Sequence, residues 1–306
     1  MTSKAWIAIL LVAGAALGGC GNYSNEDLEF MNAAPDSQQL TTDLPPRPLS
    51  TPVTMEAELA RDTHDVSTTF NKMIDGLLRL VDTIRTYQPT SRGQNSRTWG
   101  PLPSTDQPGW DWRFTVTRVS PQTFSYVLEF QDQSVSGAPW ILLLSGMFQA
   151  SSGARLGVGS LHGETLALRQ AGFPFDPTNQ LDTLDIDYST VAFPVTVHMQ
   201  LTAFPNAPSD LTTTASATYD YAVQSNGQGA MSFSVTNSMN QTLSVVSRWL
   251  STGSGIATAT VMAGSGIGLT QTECWDDTFR ATYNDKPWST SEDLGTMAAC
   301  PAIPTL

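Results

Sequence analysis

The sequence has few basic residues. Fifteen lysines and arginines stand against 28 aspartates and glutamates, which gives a formal net charge of −13. A protein that binds nucleic acid, or an anionic membrane through a polybasic patch, needs cationic side chains to replace the counterions of the phosphates. The composition therefore argues against nucleic acid as a partner and against a polybasic membrane contact.

Histidine and cysteine are equally scarce, with three of each. Neither Cys274 nor Cys300 has a further cysteine or a histidine at the spacing of a zinc site. His162 and Glu164 match the start of a deaminase zinc signature, but no Pro-Cys-x-x-Cys follows. The glycine-rich run 157–163 lacks the Gly-x-Ser-x-Gly spacing of a nucleophile elbow and is interpreted as a flexible turn. We therefore predict no metal, no cofactor and no catalytic site.

The aspartates Asp182, Asp185 and Asp187 form the acidic group that most resembles a cation site. Oxygen-rich loops bind calcium, yet the glycine that such loops need at their turn is absent here. The alternation of Asp185, Ile186 and Asp187 is typical of a strand whose acids face water. A solvated strand face is the preferred interpretation, as it is for His198 on its own strand.

No hydrophobic run is long enough to span a membrane, although one shorter run lies near the start. Ala5–Ala16 is apolar and follows Lys4, but it is shorter than the roughly 18 to 20 residues of a membrane-spanning helix. The next residues, Leu17-Gly18-Gly19-Cys20, resemble the lipobox of bacterial lipoproteins. The resemblance implies that residues 1–19 are a signal peptide and that acyl chains on Cys20 attach the protein to a membrane.

The same resemblance suggests where the protein resides. Gly21 stands in place of the aspartate that signals inner-membrane retention in Gram-negative lipoproteins, so the outer membrane is expected, with either face possible. Cys274–Tyr283 is similar to the C-terminal region of uncharacterised outer-membrane lipoproteins of Gram-negative bacteria, which implies no activity. Loss of Lys4 with the signal peptide would change the formal charge from −13 to −14.

Lipidation of Cys20 would leave Cys274 and Cys300 as a pair. Two cysteines in an oxidising compartment form a disulfide more often than not. On the chain-entropy model, closing the loop between them stabilises the fold by about 3 to 4 kcal/mol. Two free, buried thiols are the alternative.

Residues 20–50 are acidic, contain several prolines and lack apolar periodicity. They are predicted to be a flexible tether between the lipidated cysteine and the folded body. The alternative is a segment that packs along the body through Leu28, Phe30 and Met31.

Residues 51–306 are predicted to form one globular domain. It begins with a long amphipathic helix over 52–86, with Thr51 as the cap and Pro52 as the first helical residue. Its apolar residues recur at helical spacing on one stripe: Met55, Leu59, Val66, Phe70, Met73, Leu77, Leu80, Val81 and Ile84. The stripe is wider than a coiled-coil seam, so burial in the domain core is expected. A tail follows at 291–306.

From Trp110 onward the apolar period changes to two. Alternation interrupted by turns predicts a mainly β body over 110–290, as an antiparallel meander of about nine to eleven strands. A sheet of that length must curve or fold over. We expect a curved sheet or incomplete barrel packed on helix 52–86. A β-sandwich with the helix outside and a transmembrane barrel are the alternatives.

Two functions fit these features. The first is a lipid-anchored cell-envelope lipoprotein with a structural or interaction role, whose partners are the membrane and an envelope protein. The second is a carrier or chaperone for an apolar ligand, a lipid or a lipoprotein acyl chain, held inside the curved sheet. Aromatic alternation more often fills a core, but the residues that could line such a cavity are Trp110, Trp112, Phe124, Met199 and Phe233.

Overall fold

The structure is a computed structural model that describes residues 24–47, 56–153, 155–175, 181–207 and 210–304. The α-helices within these ranges are α1 (Asn25–Ala33), α2 (Ser37–Leu40), α3 (Glu58–Ile84) and α4 (Leu166–Gln170). Among the helices so described, none is both long and apolar enough to cross a membrane.

The described strands form one continuous sheet. They are β1 (Ser91–Gly93), β2 (Ser96–Pro103), β3 (Trp110–Ser120), β4 (Thr123–Asp132), β5 (Ile141–Ala150), β6 (Gly157–Glu164), β7 (Thr183–Ser189), β8 (Val195–Ala207), β9 (Asp210–Val223), β10 (Gly229–Thr236), β11 (Thr242–Trp249), β12 (Gly255–Ala263), β13 (Thr270–Trp275) and β14 (Ala281–Asp285). Each strand pairs antiparallel with the next in sequence, as in the pairs β3–β4 and β8–β9. The sheet is open, with β1 and β14 as its edge strands.

The fold is mainly β, as predicted, but the predicted strand count of nine to eleven is wrong. In the described residues the sheet has 14 strands: β3 to β14 lie within the predicted body 110–290, whereas β1 and β2 precede it and were not predicted. The sheet is single, which differs from the two layers of a sandwich. The run 157–163, predicted to be a flexible turn, lies within β6. Glycines at inward positions 157, 159 and 163 remove the apolar alternation by which strands such as β3 and β4 were recognised.

Aromatic rings from neighbouring residues fill the space beside several glycines of the sheet. A Cβ atom at any of these glycines would overlap a ring, so only glycine fits there. The pairs are Gly146 with Tyr126, Gly157 with Phe148, Gly159 with Tyr188, Gly229 with Trp249, and Gly255 with Trp275. Where glycine interrupts the apolar pattern of the sequence, the space that a side chain would take is therefore filled by an aromatic ring from another residue.

Helix α3 packs on the inner face of the sheet. Its buried stripe includes Leu59, Phe70, Ile74, Leu78, Val81 and Ile84. Phe70 stacks on Tyr219 of β9 with the ring centroids 4.9 Å apart. The Thr63 hydroxyl lies 2.6 Å from Ser247 Oγ of β11. Small inward residues such as Ser247 and Ala257 let the helix backbone approach β11 and β12.

The boundaries of α3 differ from the predicted range 52–86. Glu56 forms a β-bridge with Arg280, and Ala57 is extended, so the chain is not helical before Glu58. The predicted cap and first turn at 51–52 lie outside the described residues. The last helical residue is Ile84.

The helix is capped by a residue far away in sequence. Ala57, the residue at the cap position, makes no side-chain hydrogen bond. Instead, the carboxylate of Glu273 on β13 accepts hydrogen bonds from the backbone amides of Glu58 and Leu59, at 3.0 and 2.5 Å. These amides have no partner within the helix, so the carboxyl oxygens of Glu273 from the sheet satisfy them.

The described residues 24–47 pack against the body, which differs from the flexible tether predicted for 20–50. Ser24 and Asp27 form a capping box at the start of α1. Phe30 is fully buried, with its ring centroid 5.4 Å from that of Phe124 on β4. Of the docking residues proposed in the alternative, Phe30 is buried, Met31 is partly buried and Leu28 is exposed. This segment is held by ion pairs as well as by apolar contacts. Its acidic composition therefore favoured a tether, because composition does not show that the acids have arginine partners in the fold.

Candidate functional site

The proposed cavity-lining residues lie in the core. All five are buried and belong to a single hydrophobic cluster that includes residues from α1, α3 and most strands: Trp110, Trp112, Phe124, Met199 and Phe233. Trp110 packs edge-on against Phe173, with centroids 5.1 Å apart, and Phe124 contacts Phe30. In the structure these side chains contact other protein side chains.

A groove of about 470 Å³ crosses the outer face of the sheet from β6 to β11. Val158 and Val246 supply apolar surface, and the polar side chains that line it include Asp187, His198, Asp220 and Ser232. These residues point outward because they alternate with the buried residues of the same strands. We refer to this feature as the outer groove.

Two histidine–aspartate pairs lie on this outer face. His198 Nδ1 is 2.6 Å from Asp220 Oδ1, and His162 Nδ1 is 2.6 Å from Asp185 Oδ1. Each pair joins residues directly opposite one another on adjacent strands. A carboxylate in this position orients the imidazole and leaves its Nε2 atom for other partners.

The geometry of the outer groove does not reproduce a nucleophile-activating triad. Ser232 Oγ donates a hydrogen bond to Asp220 at 3.3 Å, so the carboxylate stands between the hydroxyl and His198. In a triad the histidine occupies that middle position, because it must accept the proton of the nucleophile. The arrangement can bind a polar ligand by hydrogen bonds.

The three aspartates considered as a calcium site do not converge on one point. Asp182 forms an ion pair with Arg169, and Asp185 binds His162. Asp187 lines the outer groove. Throughout the described ranges, no three metal-ligating side chains of His, Cys, Asp or Glu come together.

An arginine cluster on β1 to β3 binds the acidic residues of α1. Arg97, which is buried, donates to Asp27 at 2.5 Å and to Glu26 at 2.7 Å. Arg92 also donates to Asp27, at 3.1 Å. Burial raises the pKa of Asp27, but hydrogen bonds from Arg97, the Ser24 amide and Arg92 outweigh it and hold the pKa below its ordinary value.

Glu273 is a buried carboxylic acid of the inner face. Burial raises its pKa to about 7, and the two amide donors of α3 only partly offset that effect. His64, interpreted from sequence as solvated, is instead half-buried and packs edge-on against Phe279, with centroids 5.1 Å apart. Burial lowers the pKa of His64.

The remaining sequence-predicted sites are the cysteines. Cys274 and Cys300 are joined by a disulfide, with their Cα atoms 5.3 Å apart. Cys20 lies outside the described residues. Sequence reasoning missed the arginine cluster and Glu273, although the acidic run from Glu26 to Glu29 was a signal that a cationic partner was needed.

Comparisons of this chain with protein-family models, with curated proteins and with solved structures find nothing that matches it.

Proposed function

We propose that the protein is a cell-envelope lipoprotein that is held at a membrane by acyl chains on Cys20 and acts by interaction rather than catalysis. The sequence Leu17-Gly18-Gly19-Cys20 after a short apolar run carries the proposal. The well-packed inner face and the outward orientation of the polar groups in the outer groove support an interaction role.

The anchor is tested by Cys20→Ser in a Gram-negative host. We expect loss of the acyl chains, seen in the intact mass, and loss of processing at residue 19. Gly21→Asp is the matched control: it keeps Cys20, so the protein should stay acylated but move from outer-membrane to inner-membrane fractions. Unchanged mass and processing in Cys20→Ser would contradict the proposal.

The carrier function remains the alternative because one observation favours it. The segment 24–47 covers the inner face near β2 to β5 and is held in part by partly exposed ion pairs, such as that of Arg118 with Glu29, which contribute little stability and are easily exchanged. Native mass spectrometry of the purified protein should then show a co-purifying lipid. A protein that carries no lipid, and takes none up from vesicles, would exclude a carrier.

We also propose that the sheet curves into an incomplete barrel around α3. The support is that α3 contacts widely separated strands, through Phe70 to β9 and through its capped amides to β13. In a flat sheet, adjacent strands lie about 4.8 Å apart, so β3 and β12 would be about 43 Å apart. Spin labels at the outward residues Thr115 and Thr258 should therefore report a clearly shorter distance.

A further inference from the structure

The two ends of the sheet can be distinguished by the order of its turns. In a meander of this kind, the turns β1–β2, β3–β4, β5–β6 and β7–β8 lie at one end, and β2–β3, β10–β11 and β12–β13 lie at the other. We call the first the anchor end and the second the far end. Strands of eight to eleven residues, such as β6 and β3, separate them by about 30 Å.

The start of the described chain lies at the anchor end. Glu29 in α1 pairs with Arg118, close to the β3–β4 turn. Asp36 pairs with Arg155 in the β5–β6 turn. Cys20 precedes Ser24 by four residues, which can span at most about 14 Å. Acyl chains on Cys20 would therefore hold the anchor end close to the bilayer.

Apolar side chains project from the turns at this end. Leu156 is 41 % exposed, Val191 44 % and Phe193 58 %. The two turns that carry them are adjacent, because the Thr190 hydroxyl accepts a hydrogen bond from the Gly157 amide at 3.1 Å. Residues 189–194 contain no charged side chain. We refer to Leu156, Val191 and Phe193 as the anchor-end patch.

The acidity of the chain limits which surface can meet lipid. With few cations available, attraction to anionic headgroups contributes little, so contact depends on apolar groups that enter the interface. An uncharged loop avoids the cost of bringing carboxylates to the bilayer. The loop 189–194, which carries Val191 and Phe193 of the anchor-end patch, meets this condition. The patch lies at the end of the sheet where the described chain starts.

We propose that the anchor-end patch inserts into the headgroup region of the bilayer that holds the acyl chains of Cys20, which fixes the orientation of the body on the membrane. This inference rests on the proposed lipid anchor and goes beyond it. It implies that the far end, where Ile267 and Met239 are 69 % and 71 % exposed, points away from that membrane.

The test uses the acylated protein in vesicles of phosphatidylethanolamine and phosphatidylglycerol. Because Cys274 and Cys300 are bonded, a single new cysteine can carry an environment-sensitive fluorophore. Val191→Cys places the label in the patch, and Ile267→Cys is the matched control at the far end. We expect a blue shift and quenching by brominated lipid for the label at 191, with neither change at 267.

The outcomes separate the orientation from the anchor. Quenching at 267 alone, at both positions, or at neither would overturn the proposed orientation. Intact mass reports acylation independently, so an unacylated protein would show that the anchor proposal has failed. In that case a histidine tag in place of residues 1–20 tethers the same chain to nickel-chelating lipid, and the two labels are read again. Phe193→Ser should at least halve the quenching at 191 while leaving the thermal midpoint unchanged.

Discussion

Glu273 joins two distant parts of the chain, strand β13 and the start of helix α3. Its carboxylate binds the first amides of α3, which lie more than 200 residues earlier. The same burial that places it against the helix raises its pKa from 4.5 to about 7. A group of this kind links folding to pH, because the folded and unfolded states bind protons differently.

Replacement of Glu273 by glutamine should remove that pH dependence. The pKa is higher in the folded state, so the contribution of Glu273 is greatest below its unfolded value of 4.5 and is lost as the pH rises through about 7. Between about pH 4 and about pH 8, the unfolding free energy of the wild type relative to Glu273→Gln should fall by about 3 kcal/mol. Urea unfolding at both pH values measures the difference. A constant difference would show that Glu273 keeps an ordinary pKa.

The glycines of β6 provide a second test at the scale of single residues. A Cβ at Gly159 would overlap the Tyr188 ring, whereas a Cβ at Gly163 would make only ordinary contacts, starting at 3.5 Å from Leu77. We expect Gly159→Ala to lower the unfolding free energy by about 1 to 3 kcal/mol through overpacking. Gly163→Ala is the matched control and should be neutral or slightly stabilising. Equal effects in thermal or urea unfolding would contradict the ring-filling interpretation.

At the scale of elements, α1 is attached to the sheet by the arginine cluster and by Phe30. Arg97 and Asp27 are both buried, and the guanidinium of Arg97 also lies 4.7 Å from the centroid of the Phe30 ring. A buried charge without its partner is costly, so the pair matters most when one member is removed. The attachment of α1 should therefore depend on the charge of Asp27.

Asp27→Ala should destabilise the protein by about 3 to 5 kcal/mol, because Arg97 would keep a buried charge without its closest partner. The matched control is Glu29→Ala, which breaks the pair of Arg118 with an exposed carboxylate and should cost less than about 1 kcal/mol. Urea unfolding and the rate of proteolysis within 24–47 report the two effects. Similar losses in both variants would refute a special role for the buried pair.

At the scale of the whole molecule, the disulfide ties the C-terminal tail to β13. Cys274 and Cys300 are 26 residues apart, and the closed loop includes β14. On the chain-entropy model, Cys300→Ser should lower the unfolding free energy by about 3 to 4 kcal/mol. Reducing agent should destabilise the wild type and leave Cys300→Ser unaffected. A wild type that is insensitive to reduction would contradict this prediction.

Local sequence patterns were enough to predict the mainly β class, a long helix and the cysteine pair. Alternation of apolar residues indicated a mainly β meander, because successive side chains of a strand point to opposite faces. Helical spacing indicated part of the buried stripe of α3, including Leu59, Phe70, Val81 and Ile84, but it chose the partly buried Met73 and Leu77 over the fully buried Ile74 and Leu78. The cysteine count indicated the pair at 274 and 300. The prediction failed where glycine replaced an apolar residue, as in β6, since the side chain that fills the position belongs to another strand.

Only the tertiary structure decided the contacts that join distant residues. Nothing local marks Glu273 as the cap of α3, or Arg97 as the partner of Asp27, because these pairs are separated by about 215 and 70 residues. The inner or outer position of a polar residue depends on strand register, which places His198 of β8 directly opposite Asp220 of the adjacent β9. The proposed lipobox at Cys20 rests on sequence alone, whereas the ion pairs of α1 show which end of the sheet the start of the described chain lies against.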